Sequence, residues 1–407
     1  MLTALENGVK GGAWFSLMDK VYSPRNLSAS FEKVRRNKGS AGVDHQTIEH
    51  FERELEENLL GLHGALKEGA YTPQAVKRTW IPKPGSHEKR PLGIPSVRDR
   101  VAQTALRNVL EPIFERTFAE HSYGFRPGRG CKDALRRVWR LLRDGHPFVV
   151  DADLKGYFDS IPQERLLTRV EERVTDGRIL ELVRAYLEQS VMDGMEQWTP
   201  ESGTPQGAVI SPLLSNIYLN PLDHLMAAHG VEMVRYADDF VLLCQTREDA
   251  VRALEQVRTW CEENGLTLHP DKTRIVDARE PGGFDFLGYH FERGMKWPRK
   301  KSLTKLRDTI RAKTRRTNGH SMDRIIAELN PILRGWFGYF KHSQKTVMRD
   351  MDQWIRLRLR SILRRRRGLR GRARGADHLR WTNAYFATHG LFSLQLAHAE
   401  ARQPSCR

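Results

Sequence analysis

The sequence predicts an α+β protein, in which a mixed α/β body precedes a basic, all-helical segment. Up to about residue 300, short apolar runs bounded by turn residues alternate with amphipathic stretches, a pattern typical of strands mixed with helices. After Lys300 only the helical pattern remains, rich in Arg and Lys with Leu, Ile and Trp on one face. A chain of 407 residues is long enough for two or three domains.

The positive charge of the chain is concentrated in one segment. Residues 293–374 contain 26 Lys and Arg against 5 Asp and Glu, a net charge of +21, whereas the whole chain carries +17. A run of charge is usually a solvated face, but so large and so confined an excess favours a surface that binds nucleic acid. An acidic membrane surface is the alternative, and no lipidation motif supports it.

Several classes of protein are disfavoured by composition. Hydrophobic residues make up 39% and charged residues 29%, and no uninterrupted apolar stretch approaches the roughly 20 residues that span a bilayer. The N-terminus lacks a signal-peptide pattern, so we expect a cytoplasmic protein without a membrane partner. Cysteines stand at four scattered positions without CxxC spacing, which argues against a disulfide framework and a zinc module: Cys131, Cys244, Cys261 and Cys406.

The first elements are predicted to be helices and one β-hairpin-like pair. Amphipathic helices are expected at 26–37 and 47–67. Two β-prone segments then flank a Pro/Gly/Lys-rich loop in TWIPKPGSHEKRPLGIPS. A helix at 99–118, the glycine-punctuated loop HSYGFRPGRG and a helix at 131–143 follow.

The central elements are predicted to mix strands and helices. PFVVDADLKGYFDSI indicates a buried strand that breaks at its C-terminal end, and VMDGMEQWTP indicates a hairpin after helical patterns at 162–190. TPQGAVISPLLSNIYLNPLDHLM passes from loop to helix, and a helix at 247–264 precedes two strand-like segments, TLHPDKTRIVD and FDFLGYHF. Three basic helices are expected at 302–316, 321–341 and 345–366.

The tetrapeptide Tyr236-Ala237-Asp238-Asp239 lies between apolar runs that predict a β-hairpin with both aspartates at its turn. Adjacent carboxylates repel each other, and a divalent metal is the strongest counter-charge available to them. A plain polar turn is the alternative, because Asp is a common turn residue.

A second acidic region is the predicted strand segment PFVVDADLKGYFDSI, which contains Asp151, Asp153 and Asp159. Alternation along a strand places Asp151 and Asp153 on one face. This strand end and the hairpin tip could together supply three carboxylates to one site, and such oxygen ligands suit Mg²⁺. Two such ions can activate a 3′-hydroxyl and stabilise leaving pyrophosphate.

The ordered series DADLKGYFD, TPQGAVISP, YADD, PDKT and FLGYHF resembles the palm of a reverse transcriptase. The IPKP…RPLGIP block, YGFRPGRG and LNPILRGWFGYF further resemble bacterial group II intron reverse transcriptase/maturases, over residues 30–400. Each motif alone is weak, whereas eight in order are specific. The resemblance implies a right-hand polymerase fold, with fingers and an antiparallel-sheet palm followed by an all-α basic thumb.

The resemblance also implies the catalytic residues. Asp153 and Asp238 would be the main ligands of two Mg²⁺ ions, with Asp239 beside them and the Leu154 carbonyl as a further ligand. Asp151 lies outside the family's catalytic position and is interpreted as supporting or structural.

Six residues are implied to bind the incoming dNTP. The ring of Phe158 would exclude a 2′-hydroxyl, and Gln206-Gly207 would contact the template base or the nucleotide. Lys83 and Arg90 would hold the triphosphate, and Lys272 would protonate or neutralise pyrophosphate. An ordinary core phenylalanine and a solvated basic loop remain open for Phe158 and for Lys83 with Arg90.

The remaining implied residues contact nucleic acid. Arg126 and Arg129 would contact template backbone, Tyr236 would pack under the primer terminus, and Leu287-Gly288 would form the primer-grip turn. The arginines of the RRRR run would contact phosphates of intron RNA: Arg364, Arg365, Arg366 and Arg367. Trp336, Phe337, Tyr339 and Phe340 are interpreted mainly as core of the helical bundle.

The domain boundaries expected are an N-terminal extension with the start of the fingers at 1–75, fingers and palm at 76–292, thumb/maturase at 293–374 and a short DNA-binding-like tail at 375–407. The function expected is RNA-directed DNA synthesis together with intron splicing and retrohoming, in a bacterial, nucleoid-associated setting. Partners would be intron RNA, a DNA target or primer and dNTPs, with the protein a monomer in the ribonucleoprotein. We expect a compact, group IIC-like protein without an endonuclease domain.

Two other interpretations remain open: a domesticated reverse transcriptase in phage defence, and a splicing cofactor without polymerase activity. The intact aspartates disfavour the second, and the LNPILRGWFGYF region disfavours the first.

Overall fold

The computed structural model describes residues 12–82 and 89–402. Two compact units are present, Met1–Val276 and Asp277–Arg407. The first is mixed α/β, and the second is largely helical after a small sheet. This arrangement confirms the α+β class predicted from the sequence.

Five helices form the first part of unit one: α1 (Met18–Val21), α2 (Pro24–Asn37), α3 (Ile48–Arg53), α4 (Leu55–Glu68) and α5 (Val97–Glu115). In α2 the apolar residues Leu27, Phe31 and Val34 recur at helical spacing, and all three are buried in the core. The helix predicted at 47–67 divides in two, because Glu54 has non-helical backbone angles, with φ −115° and ψ 37°. Helix α5 begins two residues before its predicted start, because the Ser96 hydroxyl caps it by accepting from the Asp99 N–H at 3.1 Å.

A four-stranded sheet contains two antiparallel pairs, β1 (Val76–Pro82) with β2 (Lys89–Ile94), and β4 (Val191–Asp193) with β5 (Glu196–Trp198). Both pairs are confirmed predictions. The parallel pairing of Val76 with Val191 joins them in the order β2-β1-β4-β5. Sequence spacing gives no signal for that contact, because its two strands lie more than a hundred residues apart.

The central sheet has the order β6-β7-β3-β8 and contains β3 (Phe148–Ala152), β6 (Glu232–Tyr236), β7 (Asp239–Cys244) and β8 (Arg274–Asp277). Its hairpin β6–β7 and its buried strand β3 are both confirmed predictions. The antiparallel register of β3 and β7 places Ala152 opposite Phe240. The acidic end of β3 is therefore carried to the same edge as the hairpin turn.

Helices complete unit one. Three of them pack against the central sheet: α6 (Cys131–Arg143), α10 (Ser211–Ala228) and α11 (Arg247–Glu263). Helix α6 has the bounds that the sequence predicts. The others are α7 (Tyr157–Ser160), α8 (Gln163–Glu171) and α9 (Gly177–Leu187).

Unit two opens with a three-stranded antiparallel sheet of β9 (Phe284–Phe286), β10 (Tyr289–Glu292) and β11 (Met295–Pro298). The three basic helices are confirmed as α12 (Lys300–Lys313), α13 (Met322–Phe340) and α14 (Lys345–Arg366), and three short ones follow: α15 (Gly375–Arg380), α16 (Asn383–Thr388) and α17 (Leu394–Glu400).

The aromatic residues of α13 pack as predicted. The Phe340 ring centroid lies 5.0 Å from those of both Tyr289 and Trp336, and Phe337 lies 5.8 Å from Phe392. No helix in the described part of the chain has the length and apolar character that a membrane crossing requires.

One fully buried ion pair supports the β6–β7 hairpin. The guanidinium of Arg235 donates to both carboxylate oxygens of Asp223 on α10, at 2.8 and 2.5 Å. It also donates to Asn216 Oδ1 and to the Ala237 carbonyl, both at 2.9 Å. The hairpin is thus tied to α10 by charge as well as by packing.

We expect Arg235→Met to lower the free energy of unfolding by about 3–5 kcal/mol, because it leaves the Asp223 carboxylate buried without a counter-charge. Urea unfolding measures this. The matched control is Arg258→Met, which breaks an exposed pair with Glu255 at 3.0 Å and should cost less than about 1 kcal/mol. Equal losses in the two variants would show that the buried pair does not stabilise the hairpin.

Candidate active site

The Ala237-Asp238 turn between β6 and β7 has an unusual backbone. Tyr236 pairs directly with Asp239, so the turn contains only two residues. Ala237 adopts a φ of +60°, a conformation that residues with a side chain rarely adopt. The hydrogen bond from Arg235 to the Ala237 carbonyl holds this conformation, which fixes the position of Asp238.

The glycine loop YGFRPGRG packs against the same turn. The Arg235 N–H donates to the His121 carbonyl, and the Tyr123 N–H donates to the Arg235 carbonyl at 2.8 Å. A Cβ at Gly124 would lie 2.1 Å from the Ala237 nitrogen, so glycine is required there. The Gly124 carbonyl accepts from Asn216 Nδ2 at 2.8 Å.

Asp153 follows the last paired residue of β3 and is held through its backbone. Its carbonyl accepts from the His269 N–H at 2.7 Å, and the Lys155 N–H donates to the Thr267 carbonyl at 2.9 Å. These two bonds flank the isolated bridge between Leu154 and Leu268. Neither of these two hydrogen bonds involves the backbone of Leu154. Its carbonyl is therefore compatible with the predicted role as a metal ligand.

The structure brings Asp153 and Asp238 close enough to repel each other. Burial raises the pKa of Asp238, and the neighbouring charge of Asp153 raises it further. The Asp153 carboxylate also accepts from the Lys272 ammonium at 2.5 Å. Lys272 thus supplies one positive charge beside two carboxylates whose mutual repulsion a cation would reduce.

The predicted third carboxylate, Asp239, does not form a compact group with Asp153 and Asp238 in the described part of the chain. Among the residues that the structure describes, no three acidic, His or Cys side chains are grouped closely enough to hold a metal ion. Asp239 begins β7 with an exposed side chain, and Asp151 pairs with Arg274 at 3.5 Å. Mutual repulsion opposes the close approach of three carboxylates without a cation, so the role of Asp239 beside Asp153 and Asp238 stays a prediction.

Phe158, on the short helix α7, is bonded through its backbone to the loop that contains Gln206. The Phe158 ring is partly buried beside Tyr157, with ring centroids 5.4 Å apart, and its carbonyl accepts from the Thr204 N–H at 2.7 Å. Gln206 Nε2 donates to Asp159 Oδ2 at 3.4 Å. Gln206 and Asp159 line a cavity of about 280 Å³, together with Arg78 and Trp198.

Gly207 lies where two backbones meet. A Cβ there would be 2.2 Å from the Gly93 carbonyl oxygen, and its φ is +103°. Arg90 is exposed on β2, where it pairs with Ile81. Lys83 lies outside the described residues, so its predicted triphosphate contact stays a prediction.

The predicted template contact of Arg126 is wrong. Its side chain is only 3% exposed and pairs with Glu115 at 2.7 Å. It also donates to the carbonyls of Ala119 and Ser122. The hydrogen bonds of the Arg126 guanidinium therefore stabilise the glycine loop. Arg129, in contrast, is partly exposed and donates to the Glu120 carbonyl.

Arg364 is also corrected. It is 15% exposed, pairs with Asp377 at 2.8 Å and donates to the Arg370 carbonyl at 3.0 Å, so it organises the chain after α14. Arg365 and Arg367 are exposed, whereas Arg366, also exposed, donates to the Asn318 and His320 carbonyls.

Leu287-Gly288 forms a two-residue turn, as predicted. Both residues have positive φ, +45° and +84°, as in the type I′ hairpin turn. The Tyr339 hydroxyl donates to the Leu287 carbonyl at 2.7 Å.

In unit one, a hydrogen bond with Cys131 and partial burial raise the pKa of Tyr236 to about 12. The primer contacts of Tyr236 and of Leu287-Gly288 stay predictions.

Sequence reasoning missed three residues that build the site. Arg235 and Asp223 gave no motif signal, because only the fold reveals that they meet. Gly124 was visible in YGFRPGRG as one of several glycines, without a reason to single it out.

Two family profiles match the chain in sequence. One, described as reverse transcriptase (RNA-dependent DNA polymerase), covers residues 81–291. The other, described as the maturase-specific domain of group II introns, covers residues 303–381. The chain belongs to the group II intron reverse transcriptase/maturase family.

Relatives agree with this membership. YkfC of Escherichia coli is 32% identical over 318 residues, which cover 68% of this chain and 83% of YkfC. The group II intron-encoded protein LtrA of Lactococcus lactis is 37% identical over 196 residues, covering 48% of this chain and 32% of LtrA. The match thus spans about a third of LtrA.

A solved partial Cas6-RT-Cas1–Cas2 complex aligns at a TM-score of 0.40 with 24% identity, covering 61% of this chain and 41% of that chain. At that score the likeness carries no argument of its own.

Reverse transcriptases of this family normally use divalent metal ions, and the residues present fit such an ion in part. Asp153 and Asp238 offer hard oxygen donors whose mutual repulsion a cation would relieve.

We expect Gly124→Ala to lower the free energy of unfolding by about 1–3 kcal/mol, because the new methyl group collides with the backbone of the Ala237 turn. Thermal or urea unfolding measures it. Gly130→Ala is the control in the same loop, where a Cβ would meet no atom within 4 Å and φ is −158°. It should change stability by less than about 1 kcal/mol. Comparable losses would mean that contact with the turn is unimportant.

Proposed function

We propose that this protein is an RNA-directed DNA polymerase that also binds a group II intron RNA and promotes its splicing. The observation that carries the proposal is that the end of β3, which precedes Asp153, and the β6–β7 turn, which contains Asp238, lie at one edge of the central sheet in a chain of this family. We further propose fingers and palm at 76–292, a thumb/maturase domain at 293–374 and a DNA-binding tail at 375–407, after an N-terminal extension at 1–75.

Asp153 and Asp238 would hold two Mg²⁺ ions, with Asp239 beside them and the Leu154 carbonyl as a further ligand. Bound Mg²⁺ would activate the primer 3′-hydroxyl and stabilise the leaving pyrophosphate. The ion pair of Lys272 with Asp153 places an ammonium group at this centre, where it could neutralise or protonate the pyrophosphate. The Arg235 guanidinium, through the Ala237 carbonyl, keeps the Asp238 turn in one conformation.

The nucleotide would be selected by residues around this pair. Phe158 would exclude a 2′-hydroxyl, and Lys83 with Arg90 would hold the triphosphate. The hydrogen bond from Gln206 to Asp159 orients the Gln206 amide, and the close approach of Gly207 to Gly93 brings the loop against β2. Gln206-Gly207 would thereby contact the template base or the incoming nucleotide.

The intron RNA would bind the helical unit. Its +21 segment supplies the charge, and Arg365 and Arg367 are exposed at the end of α14. Binding through such residues should weaken steeply as salt rises. We propose that splicing depends on this surface and that retrohoming uses target-primed cDNA synthesis by the polymerase centre.

We expect Asp238→Ala to reduce cDNA synthesis more than about a thousandfold, because a principal ligand for the transition-state charge is lost. Intron RNA binding and splicing should stay near the wild-type level. Primer extension on an RNA template, RNA binding and splicing assays measure the three activities.

Glu248→Ala, which removes an exposed carboxylate from α11, is the matched control and should leave all three unchanged. Loss of splicing in Asp238→Ala would refute the separation of roles. Absence of cDNA synthesis by the wild-type protein would favour a splicing cofactor without polymerase activity.

We expect Phe158→Ala to raise the incorporation of rNTPs relative to dNTPs by about tenfold or more, since loss of a steric barrier worth ~1.4 kcal/mol changes a ratio tenfold. Single-nucleotide extension with matched dNTP and rNTP measures the ratio. Phe15→Ala, at a ring that is 80% exposed, serves as the control. Unchanged selectivity in Phe158→Ala would mean that the ring is an ordinary core residue.

A further inference from the structure

A polar cleft lies in unit two, between α14 and the three short helices that follow it. Its volume is about 660 Å³, in the range of small-molecule sites, roughly 300–1,000 Å³. The lining side chains from α14 recur at helical spacing and include Arg349, Gln353, Arg356 and Arg360. The opposite wall is formed by His378, Asn383 and Gln395, one from each short helix.

Three arginines line the cleft, and a carboxylate lies beside two of them, which leaves an excess of one positive charge. Asp352 accepts from Ser393 Oγ at 2.6 Å and from the Leu394 and Gln395 N–H groups. It is thereby used to cap α17 and lies 3.6 Å from Arg356. Asp350, at the rim, lies 3.2 Å from Arg349.

Arg356 and Arg360 lie one turn apart on α14, and both line the cleft. Arg360 is buried, donates to the Trp381 carbonyl at 2.7 Å and to Asn383 Oδ1 at 2.9 Å, and so joins α14 to the start of α16. Burial lowers the pKa of Arg360, and the charge of Arg356 lowers it further. Asp352, 3.6 Å from Arg356, compensates this repulsion in part, and a bound phosphate would add to that compensation.

The neutral groups of the cleft suit a nucleobase. Gln353, Asn383 and Gln395 contribute three amides, which pair with base edges in a bidentate manner. Trp354 also lines the cleft, and its ring packs against two guanidinium groups outside the cleft, those of Arg311 and Arg358, at 5.8 and 5.4 Å from the ring centroid. Guanidinium planes themselves stack on unpaired bases.

We propose that this cleft binds one unpaired nucleotide of a nucleic-acid strand, with the base among the amides and its phosphate on Arg356 and Arg349. A cleft of this volume admits a base that has left its helix and excludes a duplex. The inference rests on the proposed binding of nucleic acid and adds a site that recognises a bulge rather than phosphate charge alone.

The test compares hairpins that differ by one bulged nucleotide, made in RNA and in DNA, with the full-length protein at fixed salt. Fluorescence anisotropy gives the affinities. We expect the wild-type protein to bind the bulged hairpin about tenfold more tightly than the paired one, the value of one good base contact. The stronger of the RNA and DNA preferences identifies the strand that supplies the nucleotide.

In the double variant Gln353→Ala/Arg356→Gln this preference should fall to about one. Gln353→Ala alone, at an exposed helical position, should reduce it without disturbing the fold. The control Arg365→Gln/Arg367→Gln removes two charges from the same helix outside the cleft and should weaken both hairpins equally, so that the preference remains.

Equal wild-type affinity for bulged and paired hairpins, or a preference that survives in the Gln353 and Arg356 variants, would overturn the site while leaving nucleic-acid binding intact. No binding of either hairpin would overturn the proposed function as well.

Discussion

The buried contact between Arg235 and Asp223 is the interaction on which the candidate site depends. A single guanidinium neutralises Asp223, bonds Asn216 and holds the carbonyl of Ala237. Ala237 is thereby kept at a positive φ that alanine rarely adopts. The position of Asp238, at the next residue, follows from a charge pair that itself takes no part in chemistry.

Close backbone packing adds to this constraint. Gly124 allows the glycine loop to touch the Ala237 turn, and Gly207 allows the loop that contains Gln206 to touch β2. Both are places where any side chain would force two backbones apart. The site is thus rigid where its carboxylates are positioned, while Asp153 and Asp238 are held as like charges in partial burial. Binding of a cation would reduce the repulsion between these two carboxylates.

Arginine has two separate uses in this chain. Arg126, Arg235, Arg360 and Arg364 are buried or nearly so, and each bonds carboxylate or carbonyl groups of a neighbouring segment of the chain. Arg365 and Arg367 are exposed and available to phosphates. Net charge therefore overstates the nucleic-acid surface, because part of it is consumed in holding loops.

Local sequence patterns predicted the elements and named the residues of the candidate site. Helical and strand periodicities predicted the β6–β7 hairpin, β3, α6 and the three basic helices, because local spacing reports which face is buried. The motif order identified Asp153, Asp238, Phe158 and Gln206 as candidates. Local pattern could not tell an exposed arginine from a buried one, so Arg126 and Arg364 were assigned to nucleic acid.

The long-range pairings are visible only in the folded chain. It joined β1 to β4, placed Asp223 against Arg235 and set Gly124 on the Ala237 turn. It also placed the end of β3, which precedes Asp153, at the same edge as the turn that contains Asp238. The periodicity of apolar residues shows which face of a helix or strand is buried. It does not show which other element packs against that face, because such contacts depend on the packing of the whole chain.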